Sequence, residues 1–294
     1  MDLIKRFLQK PEYVFKPKQI GNRLRYKSVV KKNEKQLVIL PWGIPIEINL
    51  REVIGKSIFL FGLYDLSLTE AIKRIAKRGD EVFDVGANIG YISGLLSHLV
   101  GSEGRVHSFE PHPLIASKLR DNLKYVSGKL GYSNVDVYQM ALSESAGESR
   151  LYVPTFFDEN EGTSSLEKMN ESKEIAIQTN TLDNYIANKL MINLLKIDVE
   201  GHELSVFKGA AQALQQKRIR HIIFENNSNL KIFDILKSYG YFLFRINKTF
   251  RGVVLSDIGD VRYKISYEAD NFLATLFPGE IKEAFEKRGW TIYK

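Results

Sequence analysis

Asp198, Glu200, His202 and Glu203 crowd into the end of one apolar run, L-L-K-I-D-V-E-G-H-E from Leu194 to Glu203. Four ionisable groups at the tip of a buried strand are costly as packing and useful as proton-transfer chemistry. Either Asp198 or His202 can serve as general base: His202 by its titration near neutral pH, Asp198 by its place nearest the strand end. Glu200 and Glu203 are then left to orient the acceptor or the base. His202 can equally cap the following helix. Asp198, Glu200 and His202 are hard or borderline metal ligands, but Gly201 breaks the extended spacing that would aim them together, so no metal site is expected.

The second chemical stretch is E-V-F-D-V-G-A-N-I-G, Glu81 to Gly90. Val82, Phe83 and Val85 read as a buried parallel strand, and Gly86 and Gly90 would let backbone approach a ligand. A helix is expected from about Asn88, with Ile89, Ile92, Leu95, Leu96 and Leu99 on its packed face and its amino end toward the ligand. A dinucleotide turn, G-x-G-x-x-G, needs glycine where this chain has Asn88 and Tyr91. The acid-G-x-N-x-G form instead suits a nucleoside ligand without a pyrophosphate, and S-adenosyl-L-methionine fits. Asp84, Gly86, Asn88 and Gly90 are the candidate cofactor-binding residues on this turn. Arg105–Phe109 reads as the next strand, ending in Glu110, one βα unit on, where an acid accepts both ribose hydroxyls. Met140 and Ala141, closing a third strand at Val135–Leu142, either flank the adenine or simply pack.

These positions require a sheet that brings strand tips together. From Glu81 the pattern alternates strand and helix, which predicts a parallel α/β sheet. Helices are expected at Leu66–Ile75, Leu114–Val126, Leu204–Leu214 and Leu230–Tyr239. Strands are expected at Arg220–Phe224, Tyr241–Ile246 and Phe272–Phe277, with Arg251–Ala269 as an excursion. Leu37–Leu50 reads as a β-hairpin around Pro41–Pro45. The polar stretch Thr155–Lys173 reads as a loop that either closes over substrate or is a plain insertion. The division expected is a basic extension (1–35), a small β cap (36–65) and a catalytic domain (66–294).

At 294 residues and 44% apolar content the chain can bury a full core. No eighteen-residue apolar run and no cleavable leader pattern is present, so a cytoplasmic protein is expected. The absence of cysteine excludes thiolate metal sites and cysteine nucleophiles. The net charge of +7 is concentrated at the amino end: residues 1 to 35 carry eleven Lys or Arg against Asp2, Glu12 and Glu34, leaving the remainder at −1. Phe7, Leu8, Tyr13, Phe15 and Tyr26 and two prolines are mixed in, so any helix there should be short. Such a segment is a solvated, partly mobile extension or a contact for acidic lipid headgroups, nucleic acid or an anionic glycan.

D-V-G-A-N-I-G, F-E-P at Phe109–Pro111, T-L-D at Thr181–Asp183 and K-I-D-V-E-G-H-E at Lys196–Glu203 together resemble the FkbM family of S-adenosylmethionine-dependent methyltransferases over residues 60 to 277. The resemblance implies a Rossmann-like class I methyltransferase fold, a seven-stranded mostly parallel sheet with one antiparallel closing strand. It also implies O-methylation of a sugar, glycan or polyketide hydroxyl, with Asp84, Gly86, Asn88, Gly90 and Glu110 on cofactor-binding positions and Asp198 to Glu203 beside the reacting methyl. Asp65 stands where the family more often has glutamate. The rival readings are a nucleic-acid methyltransferase using the basic extension, weakened by D-V-E-G where an N/D-P-P-Y/F loop would stand, and an inactive binding module of the same fold.

Overall fold

The computed structural model describes residues 11–15, 17–154, 164–167, 172–186, 191–226, 229–260, 262 and 270–293. In chain order the elements are α1 (Glu12–Phe15), α2 (Lys18–Lys32), β1 (Lys35–Ile39), β2 (Pro45–Asn49), α3 (Val53–Phe61), α4 (Leu66–Ile75), β3 (Glu81–Val85), α5 (Tyr91–Val100), β4 (Arg105–Phe109), α6 (Pro113–Leu130), β5 (Val135–Tyr138), β6 (Ala141–Leu142), β7 (Gly147–Pro154), β8 (Ser172–Asn180), α7 (Leu182–Ile186), β9 (Ile192–Ile197), α8 (Glu203–Lys208), α9 (Ala211–Gln215), β10 (Ile219–Glu225), α10 (Leu230–Ser238), β11 (Phe242–Thr249), β12 (Gly252–Ser256), β13 (Asn271–Thr275) and α11 (Pro278–Glu286).

Alternation along the strands builds two cores, because successive side chains leave a strand on opposite faces. Val82, Leu194, Ile223 and Leu273 join one apolar cluster with the β1–β2 hairpin and helices α3 to α5. Their neighbours Phe83, Leu195, Ile222 and Phe272 join the other, against helices α7 to α10. The sheet between these layers runs β12-β11-β13-β10-β9-β3-β4-β5. The chain is therefore α/β with the expected parallel centre and an antiparallel β13 inserted between β10 and β11.

The sheet has eight strands rather than seven, because part of the expected excursion, Gly252–Ser256, folds back antiparallel on β11. Val135–Leu142 is two strands: β5 stays in the main sheet, and β6 leaves it to pair with β8 in a separate sheet ordered β6-β8-β7. Leu204–Leu214 is two short helices, since a Cβ at Gly209 would lie 2.0 Å from the Ser143 carbonyl oxygen and the chain bends there. The amino-terminal segment holds a 15-residue helix, α2, longer than expected because Pro11 and Pro17 both precede it. Of the polar stretch 155–173, residues 155–163 and 168–171 lie outside the described residues, and Ser172 and Lys173 already belong to β8.

Helix α4 carries a second anchor. Glu70, fully buried, accepts from Arg74 Nε at 2.8 Å, Thr291 N at 3.0 Å and Ile292 N at 2.8 Å, while Arg74 donates to the Lys287 and Gly289 carbonyls at 2.7 and 2.8 Å. The pair clamps the last turn of the chain onto the core. Glu70→Ala should leave Arg74 buried without a counter-charge and lower stability by about 3–5 kcal/mol, measured by chemical unfolding. A loss under about 1 kcal/mol would show that the clamp is not coupled to the core.

Candidate active site

Parallel register sets the first pair. Asp84 on β3 and Lys196 on β9 are direct partners across the two central strands. Both side chains are buried, with Lys196 Nζ 3.1 Å from Asp84 Oδ1 and 3.6 Å from Asp198 Oδ2. Lys196 also donates to the Gly86 carbonyl at 2.8 Å. Asp84 is held from behind, its Oδ2 accepting from Ser93 Oγ at 2.6 Å, which in turn accepts from Ser108 Oγ at 2.8 Å. Burial alone would lower the lysine pKa; Asp84 and Asp198, with Glu110 behind them, outweigh it and raise the pKa above the ordinary lysine value.

The glycine turn is then packed backbone on backbone. Gly86 N and Ala87 N both donate to the Phe109 carbonyl at 3.0 Å, and Asp198 N donates to the Val85 carbonyl at 3.0 Å. A Cβ on Gly86 would lie 1.8 Å from the Asp198 carbonyl oxygen, and one on Gly90 2.7 Å from Leu119 Cδ1. At Gly86 the space a side chain would need is taken by the Asp198 backbone, and at Gly90 by the Leu119 side chain. Asn88 (φ 48°) and Gly90 (φ 91°) are left-handed, so α5 starts at Tyr91 rather than near Asn88. Glu110 closes the turn, its two oxygens accepting from Asn88 N at 3.0 Å and His112 N at 2.9 Å.

A cleft of about 1160 Å³, counted out to its open mouth, runs over these strand tips. Gly86, Asn88, Glu110, Met140 and Ala141 form one part of its wall; Asp198, Glu200 and His202 form another. Asp84 and Gly90 do not reach it: Asp84 is spent on Lys196 and Ser93, and Gly90 is the residue before α5. Glu203 also turns away, its Oε1 accepting from Gly201 N at 3.1 Å and Val199 N at 3.3 Å, so it shapes the turn rather than facing a ligand. His202 occupies the N-cap position of α8 without capping it; its Nε2 lies 2.9 Å from Ser143 Oγ. Asp183 of T-L-D is structural, accepting from Gln212 N and Ala213 N, each at 2.8 Å, at the start of α9.

Three further wall residues are Lys196, Glu225 and Tyr64. Lys196 stood in plain view as a lone cation within an apolar strand, a position that demands buried partners. Glu225, at the end of β10, and Tyr64, ahead of α4, come from strand and loop ends that only the sheet order brings to the cleft. Burial, and then the nearby Asp198, Asp65, Glu225 and Glu200, raise the Tyr64 hydroxyl far above its usual pKa, so it stays a neutral donor. Glu110 is pushed up to about 7 by burial, against the pull of its two backbone donors and Lys196. Glu200, left-handed at φ 50° and exposed to solvent on one side, is also pushed to about 7, by partial desolvation and then by Asp198 and Glu203. The cleft wall is thus acidic, with Lys196 its one Lys or Arg among the described residues.

The methyltransferase FkbM domain model matches residues 84–243, more than half of the chain. The chain belongs to the FkbM methyltransferase family. The family match begins at Asp84 and takes in the glycine turn, Glu110 and the acidic tip, leaving the β1–β2 hairpin and α1 to α4 outside it. A hexuronic acid methyltransferase of Haloferax volcanii, AglP, is 30% identical over 164 residues, 55% of this chain and 62% of that protein. The 31-O-demethyl-FK506 methyltransferase FkbM of Streptomyces tacrolimicus is 32% identical over 181 residues, 50% of this chain and 65% of that one. A protein-L-isoaspartate O-methyltransferase of Ignicoccus hospitalis is 43% identical over 61 residues, 21% of this chain and 27% of that protein. This FkbM-family chain spans less than two thirds of each relative's length.

Lys196→Met should cost about 3–5 kcal/mol by leaving Asp84 buried without its counter-charge, and adding Asp84→Asn should recover much of that in a chemical-unfolding cycle. Equal losses in the single and double variants would show that the two are uncoupled. Glu110 and Glu200 have folded pKa values above the unfolded glutamate value, so their contribution is full below the ordinary glutamate range and is lost as pH rises through about 7. Unfolding midpoints of the ligand-free protein should therefore fall between about pH 5 and pH 7, and Glu110→Gln with Glu200→Gln should flatten that slope.

Proposed function

We propose that the chain is a cytoplasmic S-adenosylmethionine-dependent O-methyltransferase acting on a hydroxyl of a sugar, glycan or polyketide-type acceptor. The observation that carries the reading is one cleft walled by both a nucleoside-type turn (Gly86, Asn88, Glu110) and an acidic strand tip (Asp198, Glu200). A relative named for a hexuronic acid supports the sugar class of acceptor, and one named for 31-O-demethyl-FK506 supports transfer to oxygen.

The wall suits the cofactor. Glu110 is a buried carboxylate able to accept ribose hydroxyls, and Ser164 Oγ and His202 Nδ1 are buried polar wall atoms without a hydrogen-bond partner among the described residues. Gly86, Asn88, Glu110, Met140 and Ala141 would hold its nucleoside part. When bound it supplies an electrophilic methyl group on a sulfonium. A hydroxyl is a weak nucleophile and needs a base beside it. Glu200, with a pKa near 7, is matched to that task at neutral pH, and Asp198 beside it raises its basicity. Glu200 therefore moves from an orienting role to that of base; Asp198, tied to Lys196, positions the acceptor, and His202, tied to Ser143, supports the wall.

Calorimetric titration should show S-adenosylmethionine binding that strengthens as pH rises through about 7, because the ribose hydroxyls need the ionised form of Glu110. No binding at any pH would overturn the reading. In tritiated methyl-transfer assays against glycosides and macrolide alcohols, Glu200→Gln should lower turnover by about 100-fold or more while donor binding persists. Unchanged turnover would remove Glu200 as base.

A further inference from the structure

Helix α2 (Lys18–Lys32) carries Lys18, Arg23, Arg25, Lys27, Lys31 and Lys32 and no acidic residue. It is docked by one face only: Tyr26 Oη donates to the Leu50 carbonyl at 2.7 Å and Asn22 Nδ2 to the Phe59 carbonyl at 3.2 Å. Val29 and Val30 pack beside Tyr26 against the hairpin-side core. Just ahead of the helix, Glu12 pairs with Lys248 at 3.3 Å in a buried bridge, so this end of the chain is tied to β11.

The opposite face is unusual in what it leaves in water. Ile20 and Leu24 are 49% and 82% exposed, and Lys27 and Lys31 continue the same stripe at helical spacing. Val14, 44% exposed, adds a further aliphatic group just before the helix. Cations alone would suit any polyanion. Aliphatic side chains between them have no counterpart on a phosphodiester backbone, where exposed groups are charged or stack on aromatic rings. They do have one in a bilayer interface, where lysines meet headgroup phosphates and leucine enters the acyl boundary.

We propose that the outward face of α2 docks the protein on an anionic lipid surface, with Lys27, Lys31 and Lys32 on the headgroups and Ile20 and Leu24 in the acyl boundary. The docking is peripheral: among the described residues no helix is long and apolar enough to cross a membrane. The surface lies outside the cleft, so the proposal holds or fails independently of the methyl-transfer reading.

Flotation of the full chain with vesicles tests it, using phosphatidylcholine alone and equal parts phosphatidylcholine and phosphatidylglycerol. The protein should float with the anionic vesicles only and be released by high salt. Lys27→Gln and Lys31→Gln should each lower partitioning about fivefold, and Leu24→Ser should lower it further without changing the salt slope. All three side chains are exposed, so unfolding midpoints and S-adenosylmethionine binding should match the parent protein. Equal flotation with neutral vesicles, no flotation, or capture by a single-stranded RNA oligomer without flotation would each overturn the proposal.

Discussion

A buried lysine among carboxylates is the constraint on which the site rests. Lys196, buried in the sheet, needs the counter-charge that Asp84 at 3.1 Å and Asp198 at 3.6 Å supply, and removing the lysine would leave the fully buried Asp84 without a partner cation. The partnership is written into the β3–β9 register, which sets Asp84 opposite Lys196. From that one cation, contacts reach the Gly86 carbonyl on the glycine turn and Asp198 at the acidic strand tip. That ammonium group adds a side-chain tie to the backbone pairing of β3 with β9 that already joins the two parts of the cleft.

The remaining acids show what this arrangement costs. Glu110 and Glu200 line the same wall and both are lifted to about 7, Glu110 by burial and the more exposed Glu200 by partial desolvation with Asp198 and Glu203 beside it. A carboxyl held near neutrality is poorly placed for stability and well placed for exchanging a proton at neutral pH. Glu200 also sits in a left-handed conformation that a side chain bearing a Cβ rarely adopts. A left-handed backbone and a raised pKa on the same residue are what single Glu200 out for the proposed role of base.

The parallel centre of the sheet, the glycine turn, Glu110 and the acidic tip were legible because each is local: an apolar run, a short turn, an acid at the run's end. What escaped was set by contacts between distant segments. Gly209, where the helix breaks, faces the Ser143 carbonyl just after β6, a neighbour more than sixty residues earlier in the chain. The departure of β6 from β5 depends on β8, where Ile175, Ala176 and Ile177 form only a short apolar run between polar residues. Asp84 looked like a ligand contact because it precedes the glycine turn, but its partner lies on a strand more than a hundred residues later.

The sequence by itself determined which residue types meet at the strand tips, because period-two burial and turn-forming glycines constrain the backbone wherever they occur. It also determined the excess of cations along residues 18–32, since no acid offsets them. Only the tertiary structure decided which of the carboxylates face the cleft and which are spent holding it open. That choice depends on the register of β3 against β9 and on the fold of the Val199–Glu203 turn, where a side chain's direction follows from the strand or backbone N–H beside it. A carboxylate takes its role from the donor nearest to it, and for Asp84 and Glu203 that donor was supplied by packing.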